Sequence, residues 1–159
     1  MDMKFDLHGM DEVIAGLQAL EKDVKKKAAR FALRKAAMLV LNEAVGNAKR
    51  VDDPLSVSVI SENIALRFDN RHFKNTGELK FRVGVLGGAN PKQKKFSEHL
   101  PGGGTQHWRL LEFGTEHIPA QPMMRPALSS NIDNATAEFA RELDKWLQRY
   151  TRRMAKAGK

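Results

Sequence analysis

Glu112, Glu116 and His117 stand close enough in this 159-residue chain to form an acid–base set, the arrangement a hydrolase uses to move protons. Gly114 between the two carboxylates weakens the idea, because it interrupts the continuous helix that would turn residues four apart to one side. The five histidines, His8, His72, His99, His107 and His117, are not spaced as HExxH, and the chain has no cysteine. Thiolate zinc sites, iron–sulfur clusters, disulfides and cysteine nucleophiles are therefore excluded, and no metal or cofactor is expected. The glycines of Leu86-Gly87-Gly88-Ala89 and Pro101-Gly102-Gly103-Gly104-Thr105 match neither GxxxxGK[ST] nor GxGxxG. Ser56, Ser58 and Ser61 lack the GxSxG setting of a nucleophile. The residues that could do chemistry do not assemble into an enzyme, and none is expected.

Charge is more informative. Lysine and arginine number 27 against 19 aspartate and glutamate, a formal +8 that attracts anionic partners. Lys22, Lys25, Lys26, Lys27, Arg30, Arg34 and Lys35 crowd one helical stretch, and Arg149, Arg152, Arg153, Lys156 and Lys159 follow near the C-terminus. Such groups either neutralise phosphates or form a solvated helix face. Aromatic residues make up 7% of the chain and are not interleaved with the basic groups, so no base-stacking platform is built. What survives is sequence-independent contact with DNA or an acidic protein through Lys25, Lys26, Lys27, Arg30 and Arg34.

The elements that must carry these residues follow from periodicity. Lys4-Phe5-Asp6-Leu7 alternates and predicts a short strand ending at Gly9. Val13, Ile14, Leu17, Leu20 and Val24 recur at helical spacing, and Ala28, Phe31, Ala32, Ala36, Leu39, Val40 and Ala44 continue it until Val51-Asp52-Asp53-Pro54. This is one long helix, or two with a break near Glu21-Lys22-Asp23. Ile64–Phe68 and Leu79–Leu86 alternate, and the simplest pairing is a hairpin through Asn70–Gly77. Gly87–Thr105, glycine-rich and holding Lys92, Lys94 and Lys95, reads as a long flexible loop. A last helix runs from Ala127 to Tyr150. The expected fold is α+β: an antiparallel sheet packed with a long N-terminal helical region and a C-terminal helix, one domain over residues 1–150, and a frayed basic tail over 151–159. No segment has the apolar core of a signal peptide or the length of a membrane span, so synthesis and folding in a cytoplasm are expected.

Two segments are more specific than the rest: Trp108-Arg109-Leu110-Leu111-Glu112-Phe113-Gly114-Thr115 and Pro119-Ala120-Gln121-Pro122-Met123-Met124-Arg125-Pro126-Ala127-Leu128. Together they resemble the tail-completion (tail-component) family of HK97-type tailed phages and prophages, in which an EFGT element precedes a PAxPF(L/M)RPA element opening the final helix. Phe5-Asp6-Leu7-His8-Gly9-Met10-Asp11-Glu12 is similar to that family's opening. Residues 51–60 keep an outline of the family's VDTGxLRxSI stretch, and Met123 stands where phenylalanine is frequent. The resemblance implies a virion subunit of the neck or upper tail, working in tail completion or head–tail joining, assembled in the host cytoplasm as a homo-oligomeric ring, hexameric, beside other neck and tail proteins and away from membranes. Head closure and tail termination are alternatives within that class. A free DNA-binding protein and a hydrolase using Glu112 and His117 are the rivals outside it.

Within such a subunit the motif residues need no catalysis. Gly114 allows positive φ, and Pro119, Pro122 and Pro126 stiffen the connection. Arg125 can bridge to Glu112, with Phe113 and Thr115 completing the motif. Lys92, Lys94 and Lys95 would face a DNA channel or reach over the next subunit.

Overall fold

Alanines 28, 32, 36, 44 and 48 fall at intervals of four or eight along the chain, and in the computed structural model this row is buried along a 30-residue helix, α2 (Lys22–Val51). Small side chains at that spacing leave one stripe of the helix open to close approach. The structure describes residues 10–87 and 99–158, so the expected strand at residues 4–7, and Lys92, Lys94, Lys95 and Lys159, lie outside the described residues. Helix α1 (Met10–Gln18) precedes α2, and the chain breaks at residues 19–21, where the Leu20 amide donates to Leu17 O in a tight closing turn at 3.2 Å. The N-terminal helical region is therefore two helices.

The contacts fall into two compact units, Met1–Ala36 with Asp133–Lys159, and Ala37–Ile132. In the first, Ala28 and Ala32 of α2 and Leu143 are buried together, flanked by Val13, Leu17, Phe139, Trp146 and Leu147. Leu143 belongs to the last helix, labelled α7 (Ile132–Ala157). The Trp146 and Tyr150 rings stack one turn apart, 5.4 Å between centroids. Residues 151–157 extend this helix instead of leaving it as a frayed tail. Arg152, Arg153, Met154, Ala155 and Lys156 are good helix formers, and cations suit the negative end of the helix dipole.

In the second unit Ala44 and Ala48 of α2 pack with Ile60, Ile64, Met123 and Ala127. The chain runs through α3 (Ile60–Asn63), β1 (Ile64–Phe68), α4 (Asn70–Thr76), β2 (Phe81–Val85), α5 (Trp108–Phe113) and α6 (Met124–Ser129). The two strands pair antiparallel with Ile64 opposite Val85 and Phe68 opposite Phe81, which gives the α+β class. They are joined through helix α4 and not by a plain turn. Asp69 Oδ1 accepts from the His72 amide at its start, and Gly77 closes its end at φ 76°. The last helical stretch is also two helices. At the break Asn131 Nδ2 donates to Ala127 O, the carbonyl that the Asn131 main-chain amide would take in a continuous helix, while that main-chain amide donates to Leu128 O at 3.1 Å.

Candidate functional site

The first turn of any helix leaves amide donors without partners inside the helix. At α6 these amides belong to Met123, Met124 and Arg125, and Pro126 supplies none because proline has no N–H. All three are taken by one side chain. Glu112, at the end of α5 and 1% exposed, accepts from Met123 N (2.7 Å) and Met124 N (2.9 Å) through Oε2 and from Arg125 N (3.0 Å) through Oε1. Arg125 Nε donates to Oε1 at 3.2 Å, and Arg125 Nη2 donates to the Glu112 main-chain oxygen at 2.6 Å. The guanidinium lies 4.9 Å from the centroid of the Phe113 ring. One carboxylate thus ties the two motif segments into a joint.

The neighbouring motif residues complete it. Gly114 adopts φ 73°, and a Cβ there would stand 2.8 Å from Ala120 N. Thr115 Oγ1 accepts from Ile118 N (3.0 Å), its own amide donates to Ile118 O (2.8 Å), and Gln121 N donates to Leu111 O (2.7 Å). Asn47 of α2 donates to Met123 O at 3.1 Å, which anchors the joint to the core. Pro119 and Pro122 lie exposed in the connection.

Burial pushes the Glu112 carboxyl up, but the amides of Met124, Arg125 and Met123 and the Arg125 guanidinium outweigh it and hold the pKa below its ordinary 4.5. Asp69 is lowered as well, first by the His72 amide, against burial, and then by Arg82, whose Nε donates to it at 2.9 Å. A depressed carboxyl stabilises the fold fully above its unfolded pKa and loses that contribution as pH falls through the folded value. Urea midpoints should therefore fall as pH drops from 7 to about 3, and Glu112→Gln should flatten the decline. An unchanged slope in that variant would remove Glu112 as the group responsible.

The structure does not gather Glu112, Glu116 and His117 into one acid–base set. Both Glu112 carboxylate oxygens are engaged by the joint, while Glu116 and His117 lie exposed in the turn beyond Gly114. His72 pairs with Glu78 at 3.0 Å, and among the described residues no group of three histidine, aspartate or glutamate side chains gathers to hold a metal. Lys27, Arg30 and Arg34 are exposed on α2, whereas Lys25 and Lys26 are half-buried.

A second polar centre escapes sequence reasoning. Asn63, fully buried, donates through Nδ2 to Gly103 O (2.9 Å) and Thr105 Oγ1 (2.8 Å) and accepts from Gly102 N at Oδ1 (2.9 Å). The glycine-rich stretch 101–105, expected to be flexible, is pinned in the fold. The available signal was a lone side-chain amide directly before the apolar start of the strand, Ile64-Ala65-Leu66. Asp52 acts similarly, accepting from the amides of Ile60 (2.7 Å) and Ser61 (3.0 Å).

Among known proteins, the family model HK97-gp10_like, described as Bacteriophage HK97-gp10, putative tail-component, matches residues 11–114. Comparison with curated proteins and with solved structures returns no match. The matched span takes in Glu112 and ends before the segment whose amides it binds.

Proposed function

Because the chain belongs to the HK97-gp10-like family of bacteriophage tail components, we propose that it is a structural ring subunit at the neck or top of the tail, acting in tail completion or head–tail joining. The observation that carries this reading is the Glu112 joint. The residues most specific to the chain are spent on stiffening a connection and displaying Phe113 and Arg125, not on a reactive centre. A rigid, partly apolar surface suits a part that must fit its neighbours in a particle. The subunit would be made in the host cytoplasm and incorporated into the virion. The test is its position and copy number in purified particles, together with the particles formed when it is missing. Unjoined heads and tails are expected in its absence. Normal joined particles without it would overturn the reading.

A second reading, nonspecific contact with passing DNA, is favoured by the exposed Lys27, Arg30 and Arg34 on α2 and Arg149, Arg152, Arg153 and Lys156 on α7. If about five phosphates are neutralised, affinity for duplex DNA falls roughly 500-fold between about 50 and 200 mM salt, independent of sequence. A titration that shows no binding at low salt removes this reading.

A further inference from the structure

The second unit displays two apolar surfaces that are exposed among the described residues. One lies on the loop between α2 and α3, where Leu55 and Val57 are 94% and 95% exposed. This loop is held at several points. Asp53 Oδ1 accepts from Leu55 N (2.9 Å), Ser58 N donates to Ser56 Oγ (3.0 Å), Val59 N donates to Gly102 O (2.8 Å), and Asp52 fastens the far side at Ile60 and Ser61. Two aliphatic side chains are thus held in water by a hydrogen-bonded frame, an arrangement that marks a contact surface. The other surface belongs to α5 and α6. Leu110 and Phe113 stand one turn apart, the Arg125 guanidinium covers the Phe113 ring, and Leu128 follows Arg125 by one turn, with all three apolar side chains more than half exposed.

The charges bordering the two surfaces are complementary. Asp53, exposed, stands beside the first. Arg109 borders the second, and the exposed part of the Arg125–Glu112 pair is the guanidinium, the carboxylate being buried. Glu116 is the acidic residue in the turn beyond.

We propose that Leu55 and Val57 of one copy dock on the Leu110, Phe113 and Leu128 face of a second copy, with Asp53 meeting Arg109 and Arg125. A single contact of this kind covers both surfaces, whereas a foreign partner on either one leaves the other in water. The surfaces come from different segments, so the contact is head-to-tail, which closes into a ring when the rotation permits. The inference rests on the proposed subunit role and names the surfaces by which copies would meet.

The sites are exposed, so substitution there leaves the fold intact, as circular dichroism can verify. Leu55→Asp with Val57→Asp, or Leu110→Asp with Leu128→Asp, should each raise the self-association constant for dissociation by about 100-fold or more. Mixed one to one, the two variants should form a dimer that grows no further, because only one intact pair of surfaces exists between them. Sedimentation velocity reads all three states. Wild-type protein that stays monomeric, variants that associate like wild type, or a mixture that stays monomeric each overturn the contact. The absence of cysteine permits a check in the particle itself. A chain with Leu55→Cys and Leu128→Cys should give an oxidised ladder of copies. If the protein is found in particles and no ladder forms, the contact fails and the subunit role stands.

Discussion

Glu112→Ala is expected to destabilise the chain by about 3–5 kcal/mol, the range for removing one partner of a buried, hydrogen-bonded charge. That is a large share of the roughly 5–15 kcal/mol that holds a folded chain together. The substitution strands three amides at the start of α6 and removes the carboxylate partner of Arg125 Nε in one step. Arg125→Ala should be milder, about 1–2 kcal/mol, because its side chain is 58% exposed and its own amide still donates to Glu112 after truncation. In a double-mutant cycle the two effects should fall short of additive by about 1 kcal/mol, the portion that belongs to the side-chain pair. Equal losses from the two single variants would show that the guanidinium, and not the row of amides, is what the carboxylate serves. Urea unfolding at neutral pH measures each of these quantities.

The second large effect is expected at Gly102. A Cβ built there stands 1.9 Å from Val59 O and 3.0 Å from Asn63 Cγ. Real structures do not tolerate the first distance, and the obstacle is main chain, which cannot swing aside. Gly102→Ala must therefore break the Val59–Gly102 hydrogen bond or push residues 101–105 off Asn63. Overpacking combined with a lost buried hydrogen bond puts the cost at about 3 kcal/mol. Gly84→Ala is the control, since its Cβ would meet nothing within 4 Å. A stability loss at Gly102 no larger than at Gly84 would mean that the loop can slide without consequence.

Both strands and the long helices were legible because they alternate or repeat with an apolar side large enough to see. The alternation of Leu79, Phe81, Val83 and Val85 against Ile64, Leu66 and Phe68 supplied the sheet and its direction. Helix α4 was not legible, since residues 70–76 carry no apolar period. It exists between an aspartate cap and a left-handed glycine, Asp69 and Gly77, signals too short to read without the strands around them. The division of the last helix depends on the Asn131 side chain taking Ala127 O in place of its own main-chain amide, an outcome that propensity does not decide. At the candidate site, the two motif segments advertised Glu112 and Arg125 as partners. Most of what binds the carboxylate, however, is main-chain N–H, which every residue but proline carries and no letter of the sequence distinguishes. The Asn63 centre was hidden for the reverse reason. Glycine-rich composition reads as freedom, yet here the missing side chains let a buried amide hold the main chain at close range.

The Glu112 bonds join residues 11 to 13 apart, while Asn63 reaches across 39 to 42. Closing the longer loop costs about 1 kcal/mol more in chain entropy. The α5–α6 joint is thus expected to form earlier in folding than the Asn63 pin. Gly102→Ala should accordingly act through faster unfolding and leave the folding rate nearly unchanged, whereas Glu112→Ala slows folding itself. During refolding of the full chain the Phe113 and Arg125 surface would take its final shape before Asn63 pins residues 101–105.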